Sequence, residues 1–234
     1  MEWFAEWFNE DYVRLYAHRD EREAKELLNW LVPKLSLSDG SRVLDLGCGL
    51  GRHARWLHQM GFNVVGLDQS SYMIEQAKLR EPGVEFIKAD MRQLQWHASF
   101  DAVFSLFTSF GYFEEDAANA QVLEIIQRAL LPQGIFVLDY LNPPYVQTHF
   151  KPVRYQLVNG EQVTLQQRIE GDAAIKEIEF PGRRYREYVK LYNTKKMREL
   201  LHQAGFEILA RWGNYKGEPW TETAPRQIYH CRVR

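Results

Sequence analysis

A strand that runs directly into a glycine-rich turn and then into a helix restricts the fold of this chain more than any other feature. Residues 43–51 read VLDLGCGLG, and the next ten residues, RHARWLHQMG, are typical of a helix that ends at Gly61. Gly47, Gly49 and Gly51 permit a tight turn and let a ligand approach both the backbone and the N-terminus of the helix. The segment therefore predicts a ligand-binding loop; a turn that only packs the helix against the strand is the alternative.

Short apolar strands and helices alternate through most of the chain. The strands are predicted at residues 42–46, 62–68, 84–90, 100–107, 135–141, 206–215 and 226–234. The predicted helices include 20–32, with Asp20 as a candidate N-cap, 116–131, and 193–205, with Asn193 or Thr194 as the cap. This alternation predicts right-handed βαβ units, so we expect an α/β, doubly wound, Rossmann-like and mostly parallel seven-stranded sheet.

The pattern changes after Tyr145, where segments of alternating polarity replace the helices. Turn signals occur at Asn-Gly (159–160), Gly-Asp (171–172) and Pro-Gly (181–182), which are typical of hairpins. We expect three or four antiparallel strands, inserted as a subdomain over residues 147–192, with residues 1–146 and 193–234 forming the core. Exposed strand edges tend to find partners, so the insertion is also a candidate homodimer contact.

Charge and composition exclude several classes of function. The net charge is −2 with both signs well mixed, so a large non-specific nucleic-acid surface is not expected. No stretch approaches the roughly 20 apolar residues that cross a membrane, and the acidic, aromatic N-terminus does not resemble a signal peptide. Cys48 and Cys231 lie far apart, and no metal-ligand spacing occurs. We therefore expect a cytoplasmic protein with two reduced thiols and no metal.

The acidic residues beside the glycine loop indicate which ligand it holds. A dinucleotide fingerprint needs a third glycine at position 52, where this chain has Arg52, and Gly51 comes one residue early. The carboxylate of Asp45 would repel a pyrophosphate but would suit the ammonium of a methionyl group. Asp68, at the end of the second strand, could accept both hydroxyls of a ribose.

This combination of Asp45, the glycines and Asp68, continued by FIKAD at residues 86–90, resembles the class I S-adenosylmethionine-dependent methyltransferases. The resemblance covers residues 40–145 and the terminal helix and strands, and it implies S-adenosylmethionine as the cofactor. Arg52 would meet the methionyl carboxylate, although a surface position is the alternative. The cofactor-binding residues implied on the core are Asp45, Gly47, Cys48, Gly49, Arg52, Asp68, Gln69, Met73, Asp90, Met91, Leu106 and Phe107.

The segments DYVRLYAHRD, SLFTSFGYF and VKLYNTKKMRELLHQAGFE resemble a bacterial subgroup that methylates small molecules. In that subgroup the N-terminal segment folds over the cofactor, and the β insertion forms part of the substrate cavity or a dimer contact. The resemblance implies that Tyr12 and Tyr16 cap the cofactor; helix amphipathicity alone is the alternative. Tyr112 and Tyr16 are the candidate catalytic residues, as polar partners of the acceptor.

Several further aromatic and basic residues allow two interpretations from the sequence. The exit of the fourth strand is apolar, which suits an in-line methyl displacement, but Phe104 and Phe113 are expected to be core. Tyr215, Trp220 and Arg226 lie near the C-terminus, where loops often bind ligands. Arg226 could pair an acidic substrate group or form a surface salt bridge.

The run Asn142-Pro143-Pro144-Tyr145 is found in amino-methyltransferases that grip a planar amine. There it follows strand four, whereas here it follows strand five, so we expect the prolines to end the strand and lead into the insertion. The sequence thus predicts methyl transfer from S-adenosylmethionine to a nitrogen, oxygen or carbon of a small molecule. The alternatives are an amino-methyltransferase acting on nucleic acid or protein, and a protein that binds an adenosyl ligand without turnover.

Overall fold

The computed structural model describes residues 2–18 and 21–234. The strands are β1 Arg42–Leu46, β2 Asn63–Asp68, β3 Glu85–Lys88, β4 Phe100–Ser105, β5 Leu130–Leu141, β6 Val153–Val158, β7 Glu161–Glu170, β8 Ala173–Phe180, β9 Arg183–Lys190, β10 Phe206–Trp212 and β11 Arg226–Val233. The helices are α1 Trp3–Trp7, α2 Glu10–Leu15, α3 Glu21–Leu31, α4 Arg52–Gln59, α5 Ser71–Arg80, α6 Asp116–Ala129, α7 Pro143–Thr148 and α8 Thr194–Gln203.

The main sheet has seven strands in the order β10-β11-β5-β4-β1-β2-β3. Strands β1 to β5 pair in parallel, and β11 pairs antiparallel with both β5 and β10. The order reverses between β1 and β4, which places a crevice at the carboxyl ends of these two strands. The predicted fold class is confirmed.

Apolar clusters cover both faces of this sheet. One cluster packs α6 and α8 against the sheet through residues such as Leu123 and Leu201, and the other packs α3 and α4 through Leu28 and Leu57. Because the central strands are buried on both sides, their sequences are almost continuously apolar. The glycine loop and the strand exits are thereby fixed to a rigid support.

A second sheet of four antiparallel strands, β6-β7-β8-β9, lies within the predicted insertion. Its first turn places Asn159 and Gly160 at φ 50° and 86°, as a two-residue hairpin with a right-handed twist requires. The inner face of the sheet packs Leu165 and Ile178 against Trp7 and Leu15 of the N-terminal helices. The insertion therefore supports the N-terminal segment.

The boundaries of some elements differ from the sequence prediction. Helix α6 ends at Ala129 and β5 begins at Leu130, before the proline, because a register shift between Phe100 and Ala102 of β4 accommodates residues 131–134. Strand β4 ends at Ser105 rather than 107. Asn193, not Thr194, caps α8, since its Oδ1 accepts a hydrogen bond from the amide of Lys196 at 2.9 Å. The candidate cap Asp20 lies outside the described residues.

The Asn-Pro-Pro-Tyr run ends β5 and begins α7, with both prolines in its first turn. The buried side chain of Asn142 donates from Nδ2 to the carbonyls of Thr221, Glu222 and Ala224 at 3.2, 3.0 and 2.6 Å. The ring of Tyr145 stacks on His149. The run thus holds the loop between β10 and β11 in place.

We predict that Asn142→Ala destabilises the protein. Loss of the side chain leaves the carbonyls of Thr221, Glu222 and Ala224 without this donor, so the free energy of unfolding should fall by about 1–3 kcal/mol. Urea unfolding measures the change, with Asn63→Ala at an exposed strand position as the control. Equal unfolding midpoints for the two variants would contradict the structural role of Asn142.

Candidate active site

A cavity of about 440 Å³ opens at the carboxyl ends of β1, β2 and β4, within the size range of small-molecule sites. Its wall contains all of the implied cofactor-binding residues except Asp45, and both candidate catalytic residues. The predicted residues on the wall are Tyr12, Tyr16, Gly47, Cys48, Gly49, Arg52, Asp68, Gln69, Met73, Asp90, Met91, Leu106, Phe107 and Tyr112. The fold therefore brings these residues to a single cavity.

The glycine loop connects β1 to α4, and it contacts the end of β2 and the chain beyond β4. The amides of Gly47 and Cys48 both donate to the carbonyl of Leu67, at 2.7 and 2.9 Å. Gly47 has φ 76°, and a Cβ atom at this position would lie 2.6 Å from the Cβ of Ser109. Only glycine fits here, for conformation and for space.

Asp68 presents its carboxylate at the cavity wall from the end of β2. Its Oδ2 accepts from the amide of Gly49 at 3.0 Å and its Oδ1 from the amide of Ser70 at 2.9 Å. Burial raises the pKa of Asp68, and these backbone bonds oppose the rise. The carboxylate is held rigidly, with acceptor capacity left for hydroxyl donors.

Asp45 lies beneath the loop and not on the cavity wall. It is 1% exposed, and its Oδ2 accepts from the amide of Ala54 at 3.0 Å, which caps the first turn of α4. Burial raises the pKa of Asp45 to about 7, while the Ala54 bond and the charge of Arg52 lower it. A contact between Asp45 and a methionyl ammonium stays a prediction.

At the opposite end of the cavity, Asp90 is held by Arg92. The guanidinium bonds both carboxylate oxygens of Asp90, with Nε at 3.1 Å from each, and both oxygens of Glu2 at 2.8 Å. Burial raises the pKa of Asp90, but the bonds to Arg92 outweigh it and hold the pKa below its usual value. Asp90 is therefore a charged acceptor.

The N-terminal segment covers the cavity. Ser70 Oγ donates to the carbonyl of Phe8 at 2.6 Å, and the indole of Trp3 donates to the carbonyl of Tyr112 at 3.2 Å. Phe4 and Phe8 line the cavity with Tyr12 and Tyr16, although the sequence analysis did not select them. Their spacing of four residues, the same as that of the two tyrosines, was the available signal.

The insertion holds Tyr16 through ionic groups. The hydroxyl of Tyr16 donates to Glu187 Oε1 at 2.7 Å and accepts from Lys176 Nζ at 2.7 Å, while these two charged groups pair at 2.6 Å. Trp7 also donates to Glu187, at 2.8 Å. The cover and the four-stranded sheet are thus connected through buried and half-buried polar contacts.

The structure shows where Arg52 and Arg226 lie, which the sequence left open. Arg52 lines the cavity, pairs with Glu23 at 3.1 Å, and lies 4.3 Å from the ring centroid of Phe107. Arg226 forms a buried ion pair with Asp139 at 2.7 Å, so it is neither a surface residue nor part of the cavity wall.

The structure also shows where the aromatic residues Trp220, Phe113 and Phe104 lie. The ring of Trp220 covers the guanidinium of Arg211 away from the cavity. Phe113 was expected to be core alone but also lines the cavity, because the chain turns back beneath Phe4. Phe104 is core, as expected.

Other residues on the wall that the sequence did not indicate are Val13, Ala17, Glu21, Leu50, His53, Arg55, Leu67, Arg80, Ala89 and Ser109. Burial lowers the pKa of His53 well below its usual value, so this imidazole is neutral. Over residues 2–18 and 21–234, no group of His, Cys, Asp and Glu side chains is arranged to hold a metal ion. In the same ranges, no helix is long and apolar enough to cross a membrane.

We predict that Gly47→Ala lowers thermal stability and affinity for S-adenosylmethionine more than Gly40→Ala does. Both glycines have φ 76°, so both variants lose roughly 1–2 kcal/mol to a left-handed alanine. Gly40 has open space, whereas at Gly47 the new methyl group must displace Ser109. Thermal unfolding should show the larger loss for Gly47→Ala, and its affinity for S-adenosylmethionine should fall about tenfold or more. Equal effects of the two substitutions would contradict this packing.

We predict that Asp45 makes stability depend on pH. Its folded pKa of about 7 lies above its ordinary value of 3.8, so its stabilising contribution is complete below about pH 4. That contribution is lost as the pH rises through 7, with a slope of at most about 1.4 kcal/mol per pH unit. Urea unfolding of wild type and Asp45→Asn between pH 4 and 8 gives the difference. Parallel profiles would show that Asp45 does not titrate there.

Comparison with known proteins agrees with this geometry. Residues 43–134 match the family model described as a methyltransferase domain. The chain is 30% identical over 195 residues to the cypemycin N-terminal methyltransferase of a Streptomyces species, covering 78% of this chain and 79% of that protein. It is 26% identical to the glycine/sarcosine N-methyltransferase of Halorhodospira halochloris, covering 89% and 84%.

Among solved structures, the fold matches an S-adenosylmethionine-dependent methyltransferase from Clostridium acetobutylicum with a TM-score of 0.80, at 18% identity, covering 95% of this chain and 96% of that one. The predicted cofactor and enzyme class are confirmed by these relatives. The chain belongs to the S-adenosylmethionine-dependent methyltransferases.

Proposed function

We propose that this enzyme methylates the amine nitrogen of a small molecule. The observation that carries the proposal is the aromatic lining of the cavity, where the rings of Phe4 and Phe8 both lie against Tyr112. One relative is named a glycine/sarcosine N-methyltransferase, and another is named the cypemycin N-terminal methyltransferase. A compact acceptor fits a roofed cavity better than a nucleic acid does, and the net charge of −2 also disfavours a nucleic acid.

The cofactor is proposed to lie across the carboxyl ends of the strands. Asp68 accepts the ribose hydroxyls, and Asp90 accepts the adenine amine with Met91 against the ring. The loop that begins at Gly47 holds the methionyl group, and Arg52 meets its carboxylate. This arrangement is supported by the positions of these side chains along a single cavity wall.

Methyl transfer from a sulfonium is an in-line displacement, in which the acceptor nitrogen must approach opposite the departing sulfur. Rate enhancement comes mainly from alignment and from exclusion of water. The rings of Phe107 and Tyr112 favour a cationic sulfonium electrostatically. The nitrogen attacks as a free amine, and the hydroxyls of Tyr112 and Tyr16 are the proposed polar partners that orient it. Hydrogen bonds to Glu187 and Lys176 hold the hydroxyl of Tyr16 in position.

The alternative of a macromolecular amine acceptor depended on the Asn-Pro-Pro-Tyr run. The side chain of Asn142 is engaged with three carbonyls outside the cavity. Its neighbour Tyr145 stacks on His149 and is not on the cavity wall. No other feature of the described residues favours that function.

The insertion is proposed as a distinct subdomain over residues 147–192 and as a contact in a cytoplasmic homodimer. Edge strand β6 exposes Val153, Tyr155 and Leu157 on one face, beside an unpaired row of backbone groups. A second copy of the same strand, related by a two-fold axis, would cover both features.

We predict that Leu157→Lys shifts the protein from dimer to monomer in light scattering after size exclusion. Leu79 on α5 is the matched control, since its exposure of 77% is close to the 75% of Leu157, and Leu79→Lys should leave the mass unchanged. A monomeric wild type would overturn the dimer without affecting the proposed chemistry.

We predict that Asp68→Asn weakens S-adenosylmethionine and S-adenosylhomocysteine alike. A charge-assisted bond to the ribose is lost, which corresponds to about 1–3 kcal/mol in binding. Asp101→Asn is the control, because Asp101 also accepts a backbone amide, from Arg42 at 2.7 Å, but at the opposite end of the sheet. Calorimetric titration with both compounds and NAD gives the affinities. Unchanged affinity in Asp68→Asn would remove the proposed ribose site.

A further inference from the structure

The chain leaves β4 through two consecutive residues in the left-handed region. Phe107 has φ 58° and Thr108 has φ 67°. A β-branched residue adopts this region only at a cost, so the surrounding structure must hold the turn. Phe107 lines the cavity. The conformation of this turn therefore determines the shape of the wall.

Asp139, near the end of β5, holds the turn from inside the sheet. Its Oδ2 accepts from the amide of Phe107 at 2.8 Å, and its carbonyl accepts from the amide of Thr108 at 3.1 Å. The side chain of Asp139 is completely buried. A carboxylate in this position needs additional donors to remain charged.

Those donors come from β11 and from the loop before it. Arg226 donates from Nε to Asp139 Oδ1 and from Nη2 to the hydroxyl of Thr108, both at 2.7 Å. The hydroxyl of Tyr215 donates to Asp139 Oδ2 at 2.7 Å. Burial raises the pKa of Tyr215 well above its usual value, so Tyr215 keeps the proton that it donates. Three segments distant in sequence thus converge on one carboxylate.

The turn at residues 107–109 also contacts the glycine loop. Ser109 Oγ donates to the carbonyl of Gly47 at 3.2 Å, and the two residues are packed so closely that a Cβ at Gly47 would collide with Ser109. The ring of Phe107 lies against the guanidinium of Arg52. A movement of residues 107–109 would therefore displace the loop.

We propose that Asp139, Arg226 and Tyr215 are positioning residues that fix the exit of β4 against the glycine loop and thereby set the affinity for the methyl donor. None of the three lines the cavity. The inference rests on the proposed cofactor site, since it is the methionyl part of the cofactor that this loop would hold.

The first test compares two single hydroxyl deletions, Tyr215→Phe and Tyr229→Phe. Tyr229 is also buried and donates to Gln227 Oε1 at 2.7 Å, but it does not contact the turn. Both variants should lose some thermal stability. Only Tyr215→Phe should bind S-adenosylmethionine more weakly, by roughly 5- to 10-fold. Only this variant should show faster hydrogen exchange in a peptide covering residues 106–112.

The second test removes both charges. Arg226→Gln alone leaves a buried carboxylate without its cation, and this variant can fail to fold. The double variant Asp139→Asn with Arg226→Gln removes the unpaired charge, so it should melt at a higher temperature than Arg226→Gln. Its affinity for S-adenosylmethionine should stay low, because the turn has lost both bonds from Arg226 and the charge of the carboxylate that accepts from Phe107.

Wild-type affinity and wild-type exchange in both Tyr215→Phe and the double variant would overturn the positioning role while leaving the proposed function intact. A wild-type protein that does not bind S-adenosylmethionine would overturn the proposed function itself, and this inference with it.

Discussion

The rest of the site depends on the close approach of Gly47 to the strands on either side of it. Its amide bonds the Leu67 carbonyl at the end of β2, and its missing side chain makes room for Ser109 beyond β4. The loop is therefore held at the point where the strand order reverses. Parallel strands bring Asp68 and the β4 exit to the same edge, so the cavity follows from topology. The sheet and the helices make the site rigid, and the glycine loop offers its backbone groups to a ligand.

Polar contacts then close the cavity. The N-terminal segment is tied to the N-terminus of α5 through Ser70 and to the insertion through the cluster of Tyr16, Glu187 and Lys176. The four-stranded sheet thus contributes to the site by supporting its cover. Exclusion of water by this cover suits a reaction that needs alignment more than strong acid or base. The fold, the N-terminal cover and the residues of the cavity wall are all consistent with methyl transfer from a sulfonium to a small amine.

Local patterns in the sequence predicted the sheet and the glycine loop, because strand ends and tight turns depend on nearby residues. The cofactor residues were implied by the family resemblance, and all of them except Asp45 lie on the cavity wall. Asp45 lies off the cavity wall because its carboxylate accepts from the amide of Ala54, a contact that depends on how α4 packs. The role of Arg226 was not predictable, since it depends on the register of β11 against β5. Phe4 and Phe8 were missed because an aromatic face is equally typical of ordinary packing.

We infer that a methyl group passes from S-adenosylmethionine to the amine of a small molecule. The most direct measurement uses S-adenosylmethionine with a ¹³C-labelled methyl group, a panel of small primary and secondary amines, and a matched panel of alcohols and carboxylates. Mass spectrometry and NMR then locate the label. We expect labelled N-methyl products in amounts equal to the S-adenosylhomocysteine formed, and no label on oxygen. Label on oxygen or carbon, or only on a nucleic acid or protein, would contradict the account.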